Sequence, residues 1–191
     1  MTNSSTNAAL VHRLLSAGLS ASSSSAYEEE SVELFGRLRN PLLRYVLTFG
    51  VAAHDAEEIV QEAFLALFEH LRRGKSRCNL HGWLFRVCHN LALKHLERVR
   101  GKNATLHPDF DALDAHVDSA LNPEQLLVER QRQQRLQAVL RALPEQDRYC
   151  VCLRAEGLRY REIGEILSIS LGAVSISLAR SLARFERADQ E

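Results

Sequence analysis

The chain has 191 residues, 46% of them apolar, and its 24 basic residues balance 24 acidic ones. That length supports one core of good size or two small ones, and 9 glycines with 4 prolines are too few for an all-β or disordered chain. An all-α fold is expected. Cys78, Cys88, Cys150 and Cys152 lack CxxC spacing, which favours buried thiols over a disulfide or a zinc site. No run of eighteen apolar residues is present, so neither membrane insertion nor secretion is expected, and the location expected is cytoplasmic.

Residues 1–27 include SAGLSASSSSA and read as a flexible Ser-rich extension. A first helix is expected over 32–49, with Leu34, Phe35, Leu38, Leu42, Tyr45 and Val46 as core positions and a kink or restart at Asn40-Pro41. A second runs from Asp55, its expected cap, to Leu71. Its apolar stripe is Val60, Phe64, Leu67 and Leu71, and Glu58, Gln61, Glu62, Leu65 and Glu69 lie opposite. A third, over 81–100, is expected to bury Leu84, Val87, Cys88, Leu91 and His95. Its outer face aligns Arg86, Asn90, Lys94 and Arg98 at steps of four, residues suited to phosphates and base edges.

Charge is segregated along these elements. Residues 55–70 carry five acids and no Lys or Arg, whereas 72–102 carry nine basic residues against Glu97 alone. One acidic surface and a basic neighbour follow. Residues 103–122 are acidic again and read as a linker.

The stretch GLRYREIGEILSISLGAVSISLARSLAR, from Gly157, has helix-turn-helix spacing: Gly164 at the close approach, Ser168 at the turn and Val174 packing the second helix back. Ile163, Ile166 and Leu167 form the apolar face of its first helix. Ser170 is the expected N-cap of the second, whose buried stripe would be Val174, Leu178, Leu182 and Phe185. Gly172, Ala173, Ser175, Ile176, Ser177, Arg180 and Arg184 would then face duplex DNA.

The runs DAEEIVQEAFLALFEHL and HGWLFRVCHNLALKHLERVR resemble region two of the sigma-70 family of bacterial RNA polymerase specificity factors. The segment LQAVLRALPEQDRYCVCLRAEGLRYREIGEILSISLGAVSISLARSLARF resembles region four of the same family. Their order, joined by a short linker, resembles the extracytoplasmic-function subgroup, and the likeness covers about residues 30–187. It implies two small helical domains, over 28–102 and 123–188, with 1–27 and 103–122 as extension and linker.

The resemblance further implies that Asp55, Glu58, Gln61, Glu62 and Leu65 dock on core RNA polymerase. Lys75, Arg77, Asn79, Arg86, Asn90, Lys94 and Arg98 would meet the minus-ten promoter element, with residues 75–80 offering a pocket for a flipped base. Ser170, Gly172, Ala173, Ser175, Ser177, Arg180 and Arg184 would meet the minus-thirty-five element. It also admits an anti-sigma factor as a partner, which no residue here identifies.

Several positions depart from the family pattern. Lys94 stands where aspartate is common, Leu80 where an aromatic residue often sits, and Ser168 replaces a turn glycine. Ser175 and Ser177 replace positions usually basic, leaving Arg180 and Arg184 as the main cationic contacts of the recognition helix. Trp83 is expected in the core, and His81, His89 and His95 do not form a metal set. No catalytic constellation, cofactor loop or metal site is read, so no enzymatic activity is expected. A stand-alone helix-turn-helix regulator and a polymerase-binding module without promoter recognition are the alternatives.

Overall fold

The structure, a computed structural model, describes residues 24–100 and 123–189. The expected acidic linker and most of the Ser-rich extension lie outside these residues. Seven helices are described: α1 (Ser24–Leu47), α2 (Ala53–Arg72), α3 (Leu80–Arg100), α4 (Pro123–Ala142), α5 (Glu145–Ala155), α6 (Tyr160–Leu167) and α7 (Leu171–Asp189). No strand occurs among the described residues, so the fold is all-α as expected.

Helix α1 starts well before residue 32, and it runs through Pro41 without restarting. Proline costs an interior helix one hydrogen bond and a ring clash. Here buried Leu38 and Leu42 flank Pro41, with Tyr45 and Val46 one turn on, and their packing against α2 holds the helix together across it. Asp55 is not the cap of α2. Ala52 takes the N-cap backbone (φ −63°, ψ 151°) with no side-chain bond, and Asp55 sits inside the first turn, where its charge suits the helix dipole. The buried stripe of α2 is Ala56, Ile59, Val60, Ala63, Phe64, Leu67 and Leu71, spaced by threes and fours.

Helix α3 buries more than one stripe. Leu84, Phe85, Cys88, His89, Ala92 and Leu96 are buried, while the expected Val87, Leu91 and His95 are half-buried. The physical reason is a second neighbour: α3 packs on α1 and α2 and also on α6. Trp83 lies half-buried against the core, its ring centroid 4.6 Å from that of His70. Cys88 and Cys150 are buried and Cys78 is exposed, and all four cysteines are free thiols. Burial pushes the Cys152 thiol up to about 12.

The N- and C-terminal helices share one core. Tyr149 of α5 stacks on Phe49, with ring centroids 4.3 Å apart, and stands edge-on to Tyr45 and His89. Tyr45 Oη and His89 Nδ1 share a buried hydrogen bond of 2.8 Å. Burial lowers the His89 pKa to about 4 and raises that of Tyr45 well above its ordinary value. Around this aromatic centre, Arg44 makes two bonds to Glu156 Oε1 (3.1 and 2.8 Å) and Asn79 Nδ2 donates to Glu162 Oε1 at 2.8 Å.

Candidate nucleic-acid and partner interfaces

Because α2 spends its apolar stripe on the core, the opposite side is left to water. Glu58, Gln61, Glu62 and Leu65 are all exposed, Leu65 by 52%, and Asp55 is half-buried at the same end. Asp55 Oδ2 lies 3.6 Å from His95 Nε2 of α3, and Glu58 Oε1 lies 3.2 Å from His54. The five residues therefore form one acidic strip with an apolar end, the composition of a docking edge for a basic, partly apolar partner.

Arg86, Asn90, Lys94 and Arg98 are all exposed along α3, as their spacing of four requires. The acidic and basic surfaces are not separate. Lys94, His95, Glu97 and Arg98 face Asp55, Glu58 and Glu62 across a shared open groove of about 570 Å³ floored by Ile59 and Leu91. The N-terminal half of the α3 face, Arg86 and Asn90, stands clear of it.

The loop between α2 and α3 is occupied by structural work. Asn79 holds φ +54°, accepts the Gly82 amide on Oδ1 at 3.0 Å, and gives its Nδ2 to Glu162. It is thus the N-cap of α3 and a tie to α6 together. A Cβ on Gly82 would lie 2.6 Å from Asn79 Nδ2, so glycine is what lets the cap close down. Arg77 lies 3.5 Å from Glu30, and Lys75 is exposed.

Helices α6 and α7 form a helix-turn-helix with a bend of 105°. Arg159 N–H donates to the Glu162 carboxylate at 2.6 Å to start α6, and Ser168 closes it in the left-handed region (φ 56°, ψ 41°). A Cβ on Gly164 would come within 2.9 Å of Ile169 O, the close backbone approach that the spacing implied. Ser170 Oγ accepts the Ala173 amide at 3.1 Å and caps α7 as expected.

The buried side of α7 differs from the expected one. Ser177 and Ser181 are buried beside Val174 and Leu178, Phe185 is half-buried, and Leu182 is 56% exposed. The reason is Asp147 of α5, fully buried, whose carboxylate receives Arg180 Nε at 2.7 Å and Nη2 at 2.6 Å. These bonds hold the Asp147 carboxyl below the usual carboxylate range, and they turn α7 so that small Ser177 and Ser181 lie on its buried side, Ser177 Oγ accepting Gln146 Nε2 of α5 at 3.4 Å. Ser177 is therefore not outward, and Arg180 is committed to Asp147 instead of standing free as a cationic contact. Asp147 was missed by sequence reading; an Asp in the first turn of a helix looks like an ordinary dipole residue.

Among the described residues no group of three His, Cys, Asp or Glu side chains is placed to hold a metal, and no single helix is long and apolar enough to cross a membrane.

Comparison with known proteins assigns both halves. The family model described as Sigma-70 region 2 matches residues 34–102, and Sigma-70, region 4 matches residues 133–185. The chain is 36% identical over 129 residues to the ECF RNA polymerase sigma factor SigE of Mycolicibacterium smegmatis, a stretch that is 66% of this chain and 49% of that one. It thus spans about half the length of that relative. It is 27% identical over 164 residues to the RNA polymerase sigma-H factor of Pseudomonas aeruginosa, covering 81% of this chain and 83% of that one. Among solved structures the fold matches RpoE of Bartonella quintana, captured with the anti-sigma factor NepR (TM-score 0.56, 22% identity, 84% of this chain and 96% of that one). It also matches CnrH in complex with the cytosolic domain of CnrY (TM-score 0.55, 18% identity, 94% of each chain). With both regions matched in order over well over half its length, the chain belongs to the sigma-70 family of RNA polymerase sigma factors, in the extracytoplasmic-function subgroup.

Proposed function

We propose that this sigma factor binds core RNA polymerase through the α2 edge, reads two promoter elements with α3 and α7, and spends the binding energy on separating the strands. The observation that carries the reading is the pairing in one chain of a solvent-facing acidic and apolar edge (Glu58, Gln61, Glu62, Leu65) with a closed helix-turn-helix. Asp55 completes the edge at the groove. Arg86 and Asn90 meet the minus-ten strand first, and Lys94 and Arg98 follow where the strand runs toward the polymerase. Lys75 and Arg77 guide the strand to the loop before α3. Unstacking a base costs a few kcal/mol, which contacts to the strand and the polymerase must offset.

Strand capture at that loop requires Asn79 to leave Glu162, so α6 moves off α3 before the promoter opens. In the second element Ser170, Gly172, Ala173, Ser175 and Arg184 approach the major groove, while Arg180 and Ser177 set the pitch of α7 from behind. The protein works in the cytoplasm, and the anti-sigma factor NepR seen with its structural neighbour RpoE makes such a partner the regulator to look for.

The test is co-elution with core RNA polymerase. The native chain is expected to co-elute, and a Glu58→Lys, Glu62→Lys variant with unchanged helix content is expected to lose at least ten-fold in affinity. A folded native chain that does not bind core polymerase overturns the reading.

A further inference from the structure

The outward side of α7 is unusual for a helix that reads DNA. Leu171 is 56% and Ile176 64% exposed, and with Gly172, Ser175 and Ala179 they fall on one side of its first two and a half turns. No Arg, Lys, Asn or Gln stands among them. Those are the side chains that make bidentate bonds to guanine and adenine edges. The nearest cation, Arg180, is clamped on Asp147 by two bonds under 2.8 Å, and Arg184 lies a turn further along.

What this surface can still distinguish is limited by its chemistry. A serine hydroxyl pairs with donors or acceptors and discriminates little, whereas an apolar side chain in the major groove gains from contact with the thymine C5-methyl. Gly172 removes the side chain that would hold the helix off: a Cβ there would meet nothing closer than Ser170 Oγ at 3.9 Å, and the bare backbone permits closer approach. Arg159 and Arg161 at the start of α6 are exposed, Arg161 with Nε on Glu165 Oε1 at 3.1 Å, and any contact they make to phosphates sets register without reading sequence.

Resting on the promoter-binding role above, we propose that α7 reads its element chiefly through thymine methyl groups, with Ile176 and Leu171 as the specificity-determining residues. Specificity then comes from the burial of methyl groups, at about four-fold in affinity per methyl. It is correspondingly modest per base pair and insensitive to salt, while overall affinity remains salt-dependent through the phosphates.

The experiment selects a random duplex library with holoenzyme assembled from the full chain and core polymerase, with core polymerase alone as the control. The best-enriched duplex is then resynthesised with deoxyuridine replacing each upstream thymidine in turn, which removes only the methyl. At one or more upstream positions the uracil duplex is expected to compete about four-fold less well. Ile176→Ala or Leu171→Ala holoenzyme is expected to bind the thymine duplex as weakly as the native form binds the uracil one, with no further loss on uracil. Both side chains are exposed, so the variants fold. An enriched upstream element in which uracil and thymine compete equally overturns the proposal and leaves the sigma-factor role standing. Co-elution with core polymerase without any enrichment overturns both this proposal and promoter recognition.

Discussion

In α1–α3 the largest buried side chains are apolar or aromatic, Leu42, Tyr45, Leu67, Leu84 and Phe85 among them, whereas α5 and α7 bury Asp147, Ser177 and Ser181 and leave Leu171, Ile176 and Leu182 in solvent. In the N-terminal half apolar spacing sets the inside, with Val32, Leu65 and Leu93 left exposed. In the C-terminal half the pair of buried Asp147 with half-exposed Arg180 sets the rotation of α7, and small Ser177 and Ser181 lie on its buried side. A helix positioned in this way can carry apolar residues outward, where a binding partner rather than the core uses them. Both halves supply the common core and both present contact surfaces; what differs is whether apolar burial or an ion pair sets how a helix is turned.

The largest effect expected is in the N-terminal core. Phe85 is fully buried among the rings of Tyr45 and His81, and Phe85→Ala should cost about 3–5 kcal/mol. Urea unfolding followed by circular dichroism reads this as a lower midpoint. A loss under 1 kcal/mol would mean that α3 is less tightly held between α1 and α6 than its burial implies.

The junction between the halves should be sensitive to acid. Burial depresses the His89 pKa to about 4, so between pH 6.5 and 4 the unfolded chain binds a proton that the native state refuses. Stability therefore falls as pH drops below about 6.5 and levels off for this group below about 4, a total on the order of 3 kcal/mol. Burial lowers His81 in the same direction, whereas Asp147, depressed by Arg180, loses its contribution only below the ordinary carboxylate range. Unfolding free energies of the native chain and His89→Gln should diverge across that window. Parallel curves would show that His89 is not shielded by Tyr149 in solution.

How much of this was legible follows the same division. Spacing by threes and fours was enough to place α2 and its acidic edge, because Ile59, Val60, Phe64 and Leu67 are both apolar and buried. Gly164, Ser168 and Ser170 located the turn, because a close approach, a left-handed residue and a cap each select a small side chain. Three things were not legible. The second buried side of α3 depends on α6, some seventy residues away in sequence, and no local pattern encodes it. The start of α1 at Ser24 lies in a serine-rich stretch whose composition argues for a loop. The rotation of α7 is decided by Asp147 and Arg180, 33 positions apart, and in sequence Asp147 reads as a helix-dipole residue and Arg180 as a DNA contact.

The smallest effect is the one that separates periodicity from geometry most sharply. Read by spacing, Leu182 belongs to the buried stripe of α7, and Leu182→Ser should then cost about 2 kcal/mol or more. Read by the structure, Leu182 is 56% exposed and its neighbour Ser181 is fully buried, its Oγ bonded to Ser177 O at 2.8 Å. Leu182→Ser should then change stability by no more than about 0.5 kcal/mol. Ser181→Leu, which periodicity would tolerate, should overpack the buried side of α7 at about 1–3 kcal/mol. Thermal unfolding of the two variants side by side gives the order directly. If Leu182→Ser proves the more damaging, α7 is rotated from the position that the Asp147–Arg180 pair gives it, and Ile176 loses its place on the outward face.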